Sequence, residues 1–113
     1  MNEKQLKQAI GEKWDTFLEL SPEFNEAYQE LPTHAYKNGQ LDSKTKRLMA
    51  LCSALCTGCT GCILFQTQRA IDLGATVEEV HETCQVAVSL GGTMAAAQCT
   101  KVIGYLKETG VLG

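Results

Sequence analysis

Apolar residues recur at helical spacing along most of this 113-residue chain, and glycines or capping residues separate the runs. The first run spans residues 3–20. A second run begins at Ser21-Pro22, and we expect it to kink or break at Pro32, because proline removes a helical hydrogen bond. The only β-like stretch lies inside a helical pattern. The sequence therefore predicts an all-α fold in a single domain over residues 1–113.

Local signals predict four further helices, about six in all. Asp42 or Ser43 caps the first of the four, and Gly58 ends it. The next helix starts near Cys59. The last two begin at a Thr-x-x-Glu capping box and after a Gly-Gly pair, at residues 76–79 and 91–92.

Charge and hydropathy exclude several classes of function. The formal net charge is −3 and the basic residues are scattered, whereas a nucleic-acid-binding protein needs a basic face. The N-terminus is charged and lacks the apolar core of a signal peptide. The longest nearly uncharged stretch, residues 48–67, is too polar to span a membrane. We therefore expect a soluble cytoplasmic protein that binds neither nucleic acid nor membrane.

Six cysteines are the most informative residues of the chain. A secreted disulfide framework would be rich in loops, whereas this chain is periodic, so clustered cysteines indicate redox chemistry or metal binding. Three of them form two overlapping C-x-x-C motifs in the stretch CTGCTGC. The six are Cys52, Cys56, Cys59, Cys62, Cys84 and Cys99.

The second C-x-x-C motif is typical of a redox pair. Cys59 lies at a predicted helix start, where free N–H groups and the helix dipole favour a thiolate. Three-residue spacing on a helix places Cys59 and Cys62 on one face, within reach of a disulfide. The alternative is that both are small buried side chains. We expect Cys59 and Cys62 to be catalytic, with no cofactor.

A metal or iron–sulfur module using Cys56, Cys59 and Cys62 is a second hypothesis, because C-x-x-C-x-x-C begins a ferredoxin ligand run. The fourth ligand of that run is absent, since Gln66 stands in its place. A zinc site lacks a second ligand pair. Cys56 is otherwise a reserve thiol or a bystander, and the three cysteines outside CTGCTGC are expected in the core.

A thiol catalyst usually works beside a base, and the candidates for that role are few. Gln66 lies one turn beyond Cys62 but cannot accept a proton. His81 and Arg47 could approach from other helices, although solvent exposure is the ordinary state of both residue types. We treat Gln66, Arg47, Cys56 and His81 as auxiliary candidates.

The region from 41 to 106 resembles the carboxymuconolactone decarboxylase superfamily, and specifically its alkylhydroperoxidase-D-like branch. The resemblance rests on the ordered stretches LDSKTKRLMAL, GCTGCILFQTQRAIDLGATVEEV and VAVSLGGTMAAA. It implies an all-α fold, a homotrimer or homohexamer, and thiol–disulfide chemistry. The substrate would be a hydroperoxide or a disulfide, and a peroxiredoxin or another dithiol would be the electron-transfer partner.

The same resemblance implies roles for the two cysteines. Cys62 is the attacking thiol and Cys59 resolves it, whereas the dipole argument alone favours Cys59 as the nucleophile. Two positions depart from the branch, which has a His where this chain has Gln66 and a Glu where it has Arg47. A family member that kept the fold without catalysis is therefore a third hypothesis, and decarboxylase activity is disfavoured.

Overall fold

The computed structural model describes all 113 residues and contains five helices and no strand. The all-α prediction is confirmed. The five differ from the predicted six because the last two predicted helices form one element that is interrupted by a kink. The helices are α1 (Glu3–Glu19), α2 (Pro22–Ala35), α3 (Ser43–Thr57), α4 (Thr60–Asp72) and α5 (Val77–Glu108).

The predicted capping signals fix the helix ends around the cysteine motif. Asp42 caps α3 by accepting a hydrogen bond from the Thr45 N–H at 2.8 Å. Gly58 ends α3 in the left-handed conformation, with φ of 74°. Thr76 and Glu79 form the predicted capping box of α5, with hydrogen bonds of 3.1 and 3.0 Å. Local side-chain chemistry therefore explains where α3 and α5 begin.

Helix α5 folds back on itself at Gly92. This residue has φ of 66° and ψ of −149°, a conformation open essentially to glycine alone. The Cys99 thiol lies 3.7 Å from the Cys84 carbonyl oxygen, whereas a straight helix would separate these two residues by about 22 Å. The turn places the second half of α5 against the first half and beside α4.

The core lies between α3, α4 and α5. These helices contribute fully buried aliphatic side chains that pack in one cluster, so they form a rigid base under the cysteine motif. The largest fully buried aliphatic side chains are Leu51, Leu55, Ile63, Leu64, Val80, Val102 and Leu106.

Helices α1 and α2 form an antiparallel arm, in which α1 packs against α4 and α5 whereas α2 contacts α1 alone. Helix α2 has no buried residue. The apolar stripe predicted on the two helices stays largely at the surface, where Trp14 stacks on Phe17 at 4.9 Å and Phe24 stacks on Tyr28 at 5.8 Å. The arm therefore exposes an aromatic surface, composed of these four residues and Leu31.

The predicted break at Pro32 is wrong in position. Helix α2 continues through Pro32 to Ala35, and the Tyr36 N–H donates to the Pro32 carbonyl oxygen at 2.9 Å. Proline lacks only its own N–H, so a proline in the last turn removes one bond and leaves the following turn intact.

Helix α5 is long and apolar enough, by length and composition, to cross a membrane. Its reversal at Gly92 leaves two shorter segments, each below the roughly 20 residues that a spanning helix needs.

Candidate functional site

The site is built on the turn between α3 and α4. Cys59 is the N-cap residue of α4, and its Sγ accepts a hydrogen bond from the Cys62 N–H at 3.3 Å. The two cysteines are joined by a disulfide, with their Cα atoms 5.3 Å apart. Cys62 is exposed, whereas Cys59 is half-buried. A helix start therefore holds the pair in reach of each other, with one sulfur presented to solvent.

Arg47 and Gln66 meet one helical turn beyond Cys62. The Arg47 Nη1–H donates to Gln66 Oε1 at 3.2 Å, and the guanidinium lies 3.5 Å from the ring centre of Tyr36. Arg47 thus comes from α3 and Gln66 from α4, so the two positions that depart from the family pattern are in contact. Because Arg47 occupies the amide oxygen, the Gln66 amide N–H groups remain free to donate elsewhere.

The Arg47 charge has no carboxylate partner. The only ion pair in the structure joins Lys44 to Glu79 at 2.9 Å, so Arg47 is not part of one. Partial burial lowers the pKa of the Arg47 guanidinium, and the nearby Arg69 cation acts in the same direction. An arginine still keeps its proton in a protein, so Arg47 supplies positive charge and cannot act as a base.

Lys101 is a site residue that the sequence reasoning missed. Its Nζ donates to Thr60 Oγ1 and to Gln98 Oε1, each at 2.6 Å, and Thr60 lies between the two cysteines. Met94, Gln98 and Lys101 recur at helical spacing on α5, which is a signal of a shared face. The sequence does not show that this face meets the start of α4.

Cys56 is packed against α5. Its thiol donates to the Ala87 carbonyl oxygen at 3.6 Å. Burial raises the pKa of the neighbouring Cys52 thiol, and Cys56 and Cys99 raise it further. These contacts place Cys56 among the core thiols.

No three His, Cys, Asp or Glu side chains are grouped to hold a metal ion, so the contacts give no support to the hypothesis of a three-cysteine metal site.

His81 lies on the exposed face of the first half of α5. Its Nε2 is 3.4 Å from Gln85 Nε2, and no hydrogen bond joins it to the disulfide or to Gln66. It lines an apolar cavity of about 340 Å³ between the two halves of α5, together with Cys84 and Cys99. Burial, followed by the nearby Cys99, raises the pKa of Cys84 to about 12, so Cys84 is a protonated thiol at neutral pH.

The family comparison agrees with this fold and motif. The profile described as the Carboxymuconolactone decarboxylase family matches residues 22–103, well over half of the chain. The chain belongs to this family. The resemblance drawn from the sequence is therefore confirmed, and the alkylhydroperoxidase-D-like branch is consistent with it.

Solved structures of other family members are similar to this one. A carboxymuconolactone decarboxylase family protein from Legionella pneumophila has a TM-score of 0.88 and 32% identity, with 94% of this chain and 95% of that chain covered. A family protein from Thermotoga maritima, for which a role in an antioxidative response has been suggested, has a TM-score of 0.69 and 30% identity. That match covers 75% of this chain and 88% of the Thermotoga chain.

Two uncharacterised proteins are also similar to this chain. An uncharacterised protein of Cupriavidus necator is 28% identical over 96 residues, which is 85% of each chain. A protein of the cox locus of Paracoccus denitrificans is 32% identical over 84 residues, covering 74% of this chain and 76% of the relative.

Proposed function

We propose that this protein is a cytoplasmic thiol–disulfide oxidoreductase that reduces hydroperoxides through Cys59 and Cys62. The observation that carries the proposal is the disulfide at the N-terminus of α4, with one sulfur exposed. The same place in a helix favours the thiolate form that attacks a peroxide. The suggested antioxidative role of the Thermotoga relative supports this choice among the activities of the family.

The exposure of the two sulfurs suits a division of roles. The exposed Cys62 thiolate attacks the terminal peroxide oxygen, and the O–O bond breaks, so that Cys62 becomes a sulfenic acid. The departing alkoxide takes a proton from solvent water and leaves as the alcohol. The half-buried Cys59 thiol then attacks the Cys62 sulfur, releases water and forms the disulfide. A dithiol donor, such as a partner protein, reduces the pair and is itself oxidised by two electrons.

Activation at Cys62 relies on positive charge, since the neighbouring Gln66 cannot accept a proton. Arg47 fixes the Gln66 side chain through its amide oxygen and brings an uncompensated charge to the same turn. A nearby cation lowers the pKa of a thiol, and the free Gln66 N–H groups can donate to the peroxide oxygens. Arg47 and Gln66 therefore replace a proton relay with electrostatic stabilisation.

Replacing Arg47 tests the proposal. The change Arg47→Met keeps an unbranched side chain on Tyr36 but removes the charge, so we expect the rate of hydroperoxide reduction to fall about tenfold at neutral pH. The activity optimum should move to higher pH, because the Cys62 pKa rises. The measurement is dithiol-dependent consumption of an organic hydroperoxide over a range of pH.

The matched control is Lys46→Met, because Lys46 is also on α3 but donates to the Lys37 carbonyl oxygen at 2.7 Å. This variant should retain the parent rate. An Arg47→Met variant with the parent rate and pH profile would remove Arg47 from the mechanism. A parent protein without turnover would favour the alternative of a family member that kept the fold and lost catalysis.

We also propose that the protein is a homo-oligomer that buries the aromatic surface of the α1–α2 arm. In the single chain, Phe24 is 50% exposed and Leu31 is 64% exposed, and they lie on one helix with no buried residue. A contiguous apolar surface of this kind marks an interface with another chain.

We expect light scattering to give a mass of several subunits for the parent and a lower mass for Phe24→Asp. A monomeric parent at micromolar concentration contradicts this.

A further inference from the structure

The second half of α5 packs onto the turn that carries Cys59. A Cβ atom placed on Gly58 would lie 3.7 Å from Met94 Sδ and 3.9 Å from Gln98 Nε2. Lys101 is one turn further along the same face, and its Nζ lies 2.6 Å from Thr60 Oγ1. Thr60 is bonded directly to Cys59, so the ammonium group stands beside the first turn of α4.

The Lys101 ammonium is held in place but its charge is not neutralised. Both of its hydrogen-bond acceptors, Thr60 Oγ1 and Gln98 Oε1, belong to neutral side chains. No carboxylate forms an ion pair with Lys101. The residue is also half-buried, so its charge is less screened by water than that of an exposed lysine. A fixed, uncompensated cation at this position favours a negative charge nearby.

We propose that Lys101 is a positioning residue whose ammonium group stabilises the Cys59 thiolate and thereby makes the Cys59–Cys62 disulfide easier to reduce. This inference rests on the redox function proposed for the pair. It assigns the charge of Arg47 to the Cys62 side of the motif and that of Lys101 to the Cys59 side.

The reductive step shows why the charge matters. A donor thiolate attacks the exposed Cys62 sulfur, the S–S bond breaks, and Cys59 leaves with the electron pair as a thiolate. The second donor thiol then attacks the mixed disulfide, which frees Cys62 and leaves the donor as a disulfide. A leaving thiolate of lower pKa leaves faster and makes the disulfide more oxidising. Lys101 therefore favours the reduced state.

The experiment is a redox titration of the protein against dithiothreitol at pH 9, where most of a thiol with the ordinary pKa of about 8.5 is a thiolate. The Cys59–Cys62 pair is read by alkylation and peptide mass. Lys101→Met removes the charge that stabilises the Cys59 thiolate. It should therefore shift the equilibrium toward the disulfide by up to about tenfold, and a tenfold shift is a potential about 30 mV more negative. Lys101→Arg should keep the parent potential, since it keeps the charge.

Two further variants separate charge from packing. Lys101→Gln can still hydrogen-bond with Thr60 but carries no charge, so it should shift the potential as far as Lys101→Met does. Lys107→Met, on the same helix at an exposed position, should leave the potential unchanged. A parent-like potential in either Lys101→Met or Lys101→Gln overturns the inference.

The outcomes also distinguish this inference from the function on which it rests. If the parent does not reduce hydroperoxides but the Lys101 variants shift the potential, the proposed function fails and the role of Lys101 stands. If hydroperoxide turnover is present and the potential does not respond to Lys101, the inference fails and the function stands.

Discussion

Replacing Cys62 by serine is expected to lower dithiol-dependent hydroperoxide reduction by about three orders of magnitude. Cys62 is the one exposed cysteine of the motif, so its sulfur is placed to meet a substrate from solvent and to be resolved by Cys59. A serine hydroxyl at this position has no activating base, since Gln66 is its neighbour in the next turn. The fold should be unchanged, because the side chain is at the surface. The measurement is the initial rate of peroxide loss with a dithiol donor.

Cys56→Ser is the matched control for this experiment. Cys56 belongs to the same CTGCTGC stretch, but its thiol contacts the Ala87 carbonyl oxygen in the packing between α3 and α5. The variant should retain the parent rate, because a hydroxyl can make the same hydrogen bond. Equal rates for Cys62→Ser and the parent would show that Cys62 is not the nucleophile.

The second large effect is expected at the turn of α5, where Gly92→Ala should lower the free energy of unfolding by about 2–3 kcal/mol. A Cβ atom there would meet no atom within 4 Å, so the cost comes from the backbone conformation alone. The melting temperature should fall by about 10 °C, measured by circular dichroism. The geometry of the cysteine site should be disturbed as well, because this turn brings Gln98 and Lys101 to the motif.

Gly61→Ala is the control variant for the stability change expected of Gly92→Ala. Gly61 lies in the first turns of α4 with helical geometry, and a Cβ atom would lie 3.6 Å from Ile10 Cγ2, an ordinary contact. Alanine in a helix is favoured over glycine, so this variant should be as stable as the parent or more so by up to about 1 kcal/mol. If Gly92→Ala has the same melting temperature as the parent, a side chain at this turn does not strain the backbone.

The elements that could be predicted from the sequence are those fixed by local chemistry. Asp42 and the capping box at Thr76 set helix starts through hydrogen bonds within four residues, and Gly58 ends α3 through its own backbone freedom. The spacing of Cys59 and Cys62 likewise determines that the pair shares one helix face. Such features depend on neighbours in the chain, so they can be recognised before the fold is known.

The rest depends on tertiary packing, which periodicity does not determine. The helical stripe on α1 and α2 is visible in the sequence, but nothing local indicates that the arm leaves Phe24 and Tyr28 exposed. Lys101 is 39 residues beyond Cys62 in the sequence, and it reaches the motif only because α5 reverses at Gly92. For Arg47, the sequence favours an exposed side chain. Its contact with Gln66 depends on how α3 packs against α4, which the sequence does not show.

The most direct measurement traps the sulfenic acid on Cys62. Reduced Cys59→Ser protein, which cannot resolve this intermediate with its partner cysteine, is treated with one equivalent of an organic hydroperoxide in the presence of dimedone. Peptide mass spectrometry then locates the adduct. We expect a single major adduct on Cys62. An unmodified Cys62, or an adduct mainly on Cys56 or Cys99, would contradict the account.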